Sequence, residues 1–180
     1  MLLILAVVLV SLLAVGQVDK HLCATPPISL SHLNAAIAQT AEPFAENVIQ
    51  DEQLPVDDGV RRRVKAVLGQ VVACANVGEP LRVWSLYSDA YLSRLFQIQG
   101  PFTEEQFVAS ARPLPAEKDV GMRLETIERV WQRADGVIVA QVVTRYPSVP
   151  MPKRLLFWFV RDGEELEIEE VTGEISFSLP

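Results

Sequence analysis

The sequence predicts an α+β fold: an antiparallel sheet of four to five strands in a meander, packed on two to three N-terminal helices. Three observations predict it. Apolar residues recur at helical spacing between Val60 and Phe96, and they alternate at period two from Met122 onward. Asp-Gly pairs then cut that second half into hairpins. A run of helices followed by a run of strands is the pattern of helices covering one face of a sheet.

The chain of 180 residues, 49% of them hydrophobic, can bury one domain's core and carry accessory segments. The first accessory is Leu2 to Gly16, apolar and uncharged. It is shorter than the roughly 20 residues of a full span. It fits a secretory h-region, with Ala14-Val15-Gly16 as a small-x-small cleavage site. No Lys or Arg precedes it, so residues 1–16 read as a signal peptide or as an uncleaved anchor. Either reading places the protein outside the cytoplasm, secreted or membrane-anchored. Residues 17–57 read as a proline-bearing linker with a short helix after Ser31, and residues 58–180 as the domain. Cys23 and Cys74 are the only cysteines, and an even count in an exported chain invites a disulfide between them. The alternatives are a buried free thiol at Cys74 and lipidation of Cys23, although "KHLC" lacks the small residues of a lipoprotein signal.

Asp57 or Asp58 can cap the first long helix, on which Val60, Val64, Val67, Leu68, Val71 and Ala75 form one stripe. Gly78 suits the left-handed stop, and Pro80 can open the next helix. Leu81 to Phe96 keeps helical spacing with a break expected near Ser88-Asp89. Thr103 and Gln106 form a capping-box pattern for a third helix, short and closed by Pro113 and Pro115. The strands run from Val120 to Arg133, across Ala134-Asp135-Gly136 to Tyr146, then from Arg154 across Asp162-Gly163 to Val171. "EISFSL", Glu174 to Leu179, is a last short strand. Glu165, Glu167 and Glu169 alternate with Leu166 and Ile168, so that strand shows one face to water.

With "CANVGEP" followed by "LRVWSLYSDAYLSRLF", the chain resembles SnoaL-like domains of the nuclear transport factor two superfamily. Asn76, Gly78, Leu86, Tyr87 and Asp89 stand in the places of that family's turn and aromatic-x-Asp pattern, with Glu79 where Asp is usual. The resemblance covers about Asp58 to Leu179. It implies a curved sheet wrapped round a long helix, with an apolar cavity in the cone. Members include isomerases, dehydratases and cyclases, which generally use an Asp or an Asp–His pair and often a Tyr donor. They also include binding and assembly modules.

The chemistry visible in the residues is sparse. A net charge of −7 lacks the basic footprint that nucleic acid requires. "RRR" at Arg61 to Arg63 reads as a solvated helix face, which leaves the N-terminal segment as the only membrane contact. No glycine-rich phosphate loop, metal-ligand spacing or cofactor motif occurs, so no cofactor and no metal are expected. His21 and His32 both precede the expected domain. Asp89 reads as a carboxylate at a helix start, and Asp119 as a solvent-facing residue. Period two places Met122, Leu124, Thr126, Glu128 and Val130 on the core face of the first strand, which makes Glu128 the candidate acid. Its bland alternative is an ion pair with a neighbouring Arg. Trp84, Tyr87, Tyr91, Phe157, Trp158 and Phe159 can line a cavity or simply fill a core. Tyr87 and Tyr91, one helical turn apart, are the better pocket candidates; Trp84, Glu128 and Trp158 complete the set. The expected function is a module that binds an apolar small molecule or a protein partner. The alternatives are a small isomerase, dehydratase or cyclase using Glu128, and a domain that homodimerises through its outer sheet face.

Overall fold

The protein is described here by a computed structural model covering residues 23–40, 42–43, 53–112, 121–147, 149 and 151–173. The expected leader, His21, Asp119 and the strand from Glu174 lie outside the described residues. Five helices and five strands follow in the order α1 (Leu30–Ile37), β1 (Leu54–Pro55), α2 (Asp58–Asn76), α3 (Pro80–Trp84), α4 (Asp89–Phe96), α5 (Glu104–Ser110), β2 (Arg123–Gln132), β3 (Ile138–Arg145), β4 (Lys153–Asp162) and β5 (Glu165–Thr172). The sheet is antiparallel throughout, in the order β1-β2-β3-β4-β5. It is the α+β meander expected, with one two-residue strand that was not. Pro55 is tolerated in β1 because that strand is an edge.

Local chemistry sets most boundaries. The Asp57 carboxylate accepts from the Val60 amide at 2.8 Å, and that bond holds its pKa below the ordinary carboxylate value. Gly78, at φ 72°, takes the left-handed turn that ends α2. Ser88 caps α4, and Thr103 with Gln106 closes the full capping box of α5. Gly136 (φ 91°) and Gly163 (φ 58°) turn the two hairpins. The helix expected after Ser31 begins earlier, because Ser29 is the residue whose hydroxyl accepts from the His32 amide.

The main core forms where Val60, Val64, Leu68 and Val71 of α2 meet Val130, Ile138, Ala140, Val142, Phe157, Phe159, Leu166 and Ile168 of the sheet. Burial of one such side chain is worth about 1.5–3 kcal/mol against leaving it exposed. A second cluster joins Leu33 and Ile37 of α1 to Leu81, Leu92 and Phe102. On the other sheet face Trp131, Val139, Leu156 and Trp158 gather.

Of the segment read as a linker, Cys23 to Thr40 is part of this body. Cys23 and Cys74 form a disulfide with Cα atoms 4.8 Å apart, closing a separation of 51 residues. The Gln70 Oε1 atom accepts from the amides of Ala24 (2.8 Å) and Thr25 (3.2 Å), and the Ile28 amide donates to Leu81 O at 3.0 Å. Arg82 donates to Thr25 O at 2.6 Å. The pairing has a direct check. Thiol titration in denaturant without reductant should find no free thiol at Cys23 or Cys74. Replacing both by Ala should cost up to about 4 kcal/mol in denaturant melts, the loop-closure value for a loop of this size. Two titratable thiols, or melts that coincide, would refute the tether.

Candidate functional site

The curl of the sheet leaves a cavity of about 410 Å³ at the C-terminal end of α2. Val71, Ala75 and Asn76 come from α2, while Leu155 and Phe157 come from β4 and Val171 from β5. Val83, Met122 and the three tyrosines Tyr87, Tyr91 and Tyr146 complete the wall. These are all the tyrosines of the chain.

Each tyrosine is placed by a backbone feature. Leu86 to Ser88 leaves the helical path and bridges β5, with the Ser88 amide donating to Ile168 O (2.9 Å) and the Ile168 amide to Leu86 O (2.8 Å). Tyr87 is therefore an extended residue rather than the helical one expected. Its ring still packs on that of Tyr91 in α4, with centroids 4.9 Å apart and planes at 59°. Asn76 clamps the start of β2 to the end of α2, because its side chain both donates to Met122 O (2.8 Å) and accepts from Met122 N (2.7 Å). One N–H and one lone pair of that amide remain beyond this clamp. Tyr146 follows β3, and its hydroxyl reaches the Met122 sulfur at 3.1 Å.

Burial raises the pKa of all three tyrosines. For Tyr87 the neighbouring Tyr91 and Tyr146 add to it; for Tyr91 the Glu170 carboxylate adds and Arg94 opposes; for Tyr146 a Thr144 hydrogen bond opposes. The hydroxyls thus stay protonated and serve as donors. Among the described residues, neither the Tyr87 nor the Tyr91 hydroxyl hydrogen-bonds to another group.

Of the aromatic residues predicted to line a cavity, the structure brings Tyr87, Tyr91 and Phe157 to this one. Trp84 instead packs with Phe96 and Phe102, at ring centroid distances of 4.9 and 5.8 Å, in the α1–α4 cluster. Trp158 lies on the opposite sheet face, because it pairs with Val139 while its neighbour Phe157 pairs with Ala140 and faces the helices. Its indole donates to Thr172 Oγ1 at 3.3 Å, and the Arg133 guanidinium lies 5.7 Å over its ring.

Glu128 is not an interior acid. The β2–β3 register shifts twice, between Leu124 and Thr126 and between Ile127 and Arg129. Each shift adds a residue to β2 and resets which residues face in. The inward set becomes Met122, Leu124, Ile127 and Val130, and Thr126 and Glu128 are exposed. Glu128 accepts from Gln141 Nε2 at 2.8 Å and pairs with Arg154 at 3.2 Å, the bland alternative.

Sequence reasoning missed Tyr146, although continuing the period from Val142 and Thr144 puts it on the helix side. It also placed His32 outside the domain. The structure docks α1 on α4 and brings His32 Nε2 to 2.8 Å from Asp89 Oδ1, with Gln39 donating to Asp89 Oδ2 at 3.1 Å. The pair is exposed and does not line the cavity.

A second depression, about 440 Å³, lies between Thr25-Pro26, α2 and the β4–β5 hairpin. Its rim is charged, with Arg63, Glu164, Glu165 and Glu167. Burial, then Asp162 and Asp89, raise the Glu167 pKa, while His32 pulls it down. No cluster able to hold a metal ion exists among the described residues, and no described helix is long and apolar enough to cross a membrane.

The tyrosines supply a pH test. Their folded pKa values exceed the unfolded value near 10, so any stability they contribute is complete below that pH and is lost as pH rises further. In a near-ultraviolet titration at pH 10, the folded protein should show well under half of its tyrosines ionised. The unfolded chain should show about half. Coincident curves would refute the buried arrangement. For the outer carboxylate, Glu128→Gln should change stability at pH 7 by less than about 1 kcal/mol, as for an exposed pair. A larger loss in denaturant melts would return Glu128 to the interior. Comparison with family models, curated proteins and solved structures gives no significant match for this chain.

Proposed function

We propose that the protein is an exported, SnoaL-like binding module whose cone cavity takes an apolar small molecule. One observation carries this reading. The cavity wall is aliphatic and aromatic, its polar side chains are the three tyrosines and Asn76, whose amide is held by the Met122 backbone, and no carboxylate, imidazole or thiol lies in it. Pockets of several hundred Å³ with few convergent polar groups are the usual form of small-molecule sites. An isomerase, dehydratase or cyclase needs an acid–base group within hydrogen-bond reach of the reacting atom. The residue considered for that role, Glu128, is bonded to Gln141 and Arg154 instead. The order of helices and strands supports the family resemblance, and the Cys23–Cys74 disulfide is compatible with an oxidising compartment.

The test uses naphthalene as a rigid, purely apolar probe. Titration calorimetry should show saturable binding at one site per chain. Ala75→Phe, which adds a ring to the exposed end of α2 where it borders the cavity, should abolish that binding while leaving the melt unchanged. Binding that never saturates, or that survives in the Ala75→Phe protein, would defeat the proposal.

A further inference from the structure

Beyond an apolar wall, the pocket has a polar pole with a definite sign. Tyr87 and Tyr91 stand side by side there, each offering an O–H donor that makes no hydrogen bond among the described residues. Behind Tyr91 lies a cluster built by the third irregularity of the sheet. The β4–β5 register shifts between Trp158 and Phe159, so Glu169 is an extra residue in β5. As a result two consecutive carboxylates, Glu169 and Glu170, both reach one guanidinium. Arg94 lies 2.9 Å from Glu169 Oε1 and 3.3 Å from Glu170 Oε2, and its guanidinium sits 5.9 Å over the Tyr91 ring. All three charged side chains are only 16–17% exposed. The Ser88 hydroxyl also donates to Glu169, at 2.5 Å, which fixes the cluster to the residue between Tyr87 and α4.

We infer that the pocket selects a ligand whose polar end is a neutral hydrogen-bond acceptor, such as a ketone, ester or amide oxygen, and discriminates against a carboxylate. The reasons are chemical. A protonated tyrosine donates to a neutral oxygen and, more strongly, to an anionic one, so the donors alone would favour the carboxylate. Choice comes from the charge next to them. Two carboxylates share one guanidinium, so the cluster beside Tyr91 carries excess negative charge, in a setting where water screens it poorly. A carboxylate placed at the tyrosine hydroxyls would meet that excess and would also lose its own hydration. A ketone oxygen carries no charge to be repelled, and its smaller loss of hydration is offset by the tyrosine hydrogen bonds. Like-charge juxtaposition of this kind is a standard way to reject a close analogue. Arg94, Glu169 and Glu170 are therefore specificity-determining residues that do not themselves line the cavity.

This inference rests on the binding reading above, and the experiment separates the two. Naphthalene, 2-acetylnaphthalene and 2-naphthoate share one ring system and differ in the polar end. Calorimetric titrations at pH 7 should give a Kd for 2-acetylnaphthalene up to about tenfold below that for naphthalene, the range of one hydrogen bond. The Kd for 2-naphthoate should lie well above that for the ketone. In the Tyr87→Phe/Tyr91→Phe protein the Kd for the ketone should no longer lie below that for naphthalene. Glu170→Gln, which leaves one carboxylate for Arg94, should tighten 2-naphthoate selectively. If naphthalene binds but the ketone binds no better, or 2-naphthoate binds as tightly as the ketone, the selectivity inference is overturned and the pocket stands. Should none of the three bind, both readings fall.

Discussion

Four strands can share one long helix only if the sheet curls around it. α2 presents a single stripe, Val60, Val64, Leu68 and Val71, and the inward residues of β2, β3, β4 and β5 all have to reach it. A regular sheet has a gentle twist that does not bring its outer strands to one helix. The additional bend comes from the three register shifts, two in the β2–β3 pair and one between β4 and β5. Those shifts also determine the site. Toward the C-terminal end of α2 the curled sheet stands away from the helix, and Tyr87, Tyr91 and Tyr146 border the space that results. The same shift in β5 that helps bend the sheet sets Glu169 and Glu170 on Arg94.

Features fixed by a few adjacent residues were legible in the sequence. The Asp57 cap, the Gly78 stop, the Thr103–Gln106 box and both Asp-Gly hairpins depend on side chains and φ angles within one turn. The stripe of α2 was legible because helical period survives any tertiary context. The facing of β2 was not. Period two is a rule for an unbroken strand, and one bulge inverts everything beyond it. From Leu124 onward the two bulges of β2 exchange Thr126 and Glu128 for Ile127, and beyond the second bulge Val130 and Trp131 regain their expected sides. Trp158 failed differently. Its neighbours Phe157 and Phe159 are equally aromatic, so composition could not say which of the three faces the helices.

Long-range docking was the second thing hidden. Nothing in "CATPPISL" separates a linker from a strap, since its prolines suit both. What makes it a strap is the set of partners it finds about fifty residues away: Cys74, Gln70, Leu81 and Arg82. Once Cys23 is tied to α2, the chain leaving it can lay α1 along α4. His32 then reaches Asp89, and Leu33 and Ile37 enter the second core. An imidazole that seemed remote from the domain becomes a surface link within it, and Asp89 serves two helices rather than its own alone.

The tyrosines differ in how their rings and their hydroxyls are used. A phenylalanine at Tyr87 or Tyr91 could make the same ring contact, because that contact involves no hydroxyl. A buried hydroxyl without a partner would cost about 1–3 kcal/mol, but neither of these two O–H groups is both sealed from solvent and unpartnered. They are tolerated because they open on a cavity where water or a ligand can accept from them. Tyr146 differs, since its hydroxyl already meets the Met122 sulfur. The pocket thus divides its three phenols into one that is engaged with the wall and two that are available to an occupant. That division, more than the apolar volume, is what distinguishes this cavity from a packing defect. A defect would be lined by side chains with nothing to offer, whereas here two donors are held protonated beside a charge cluster.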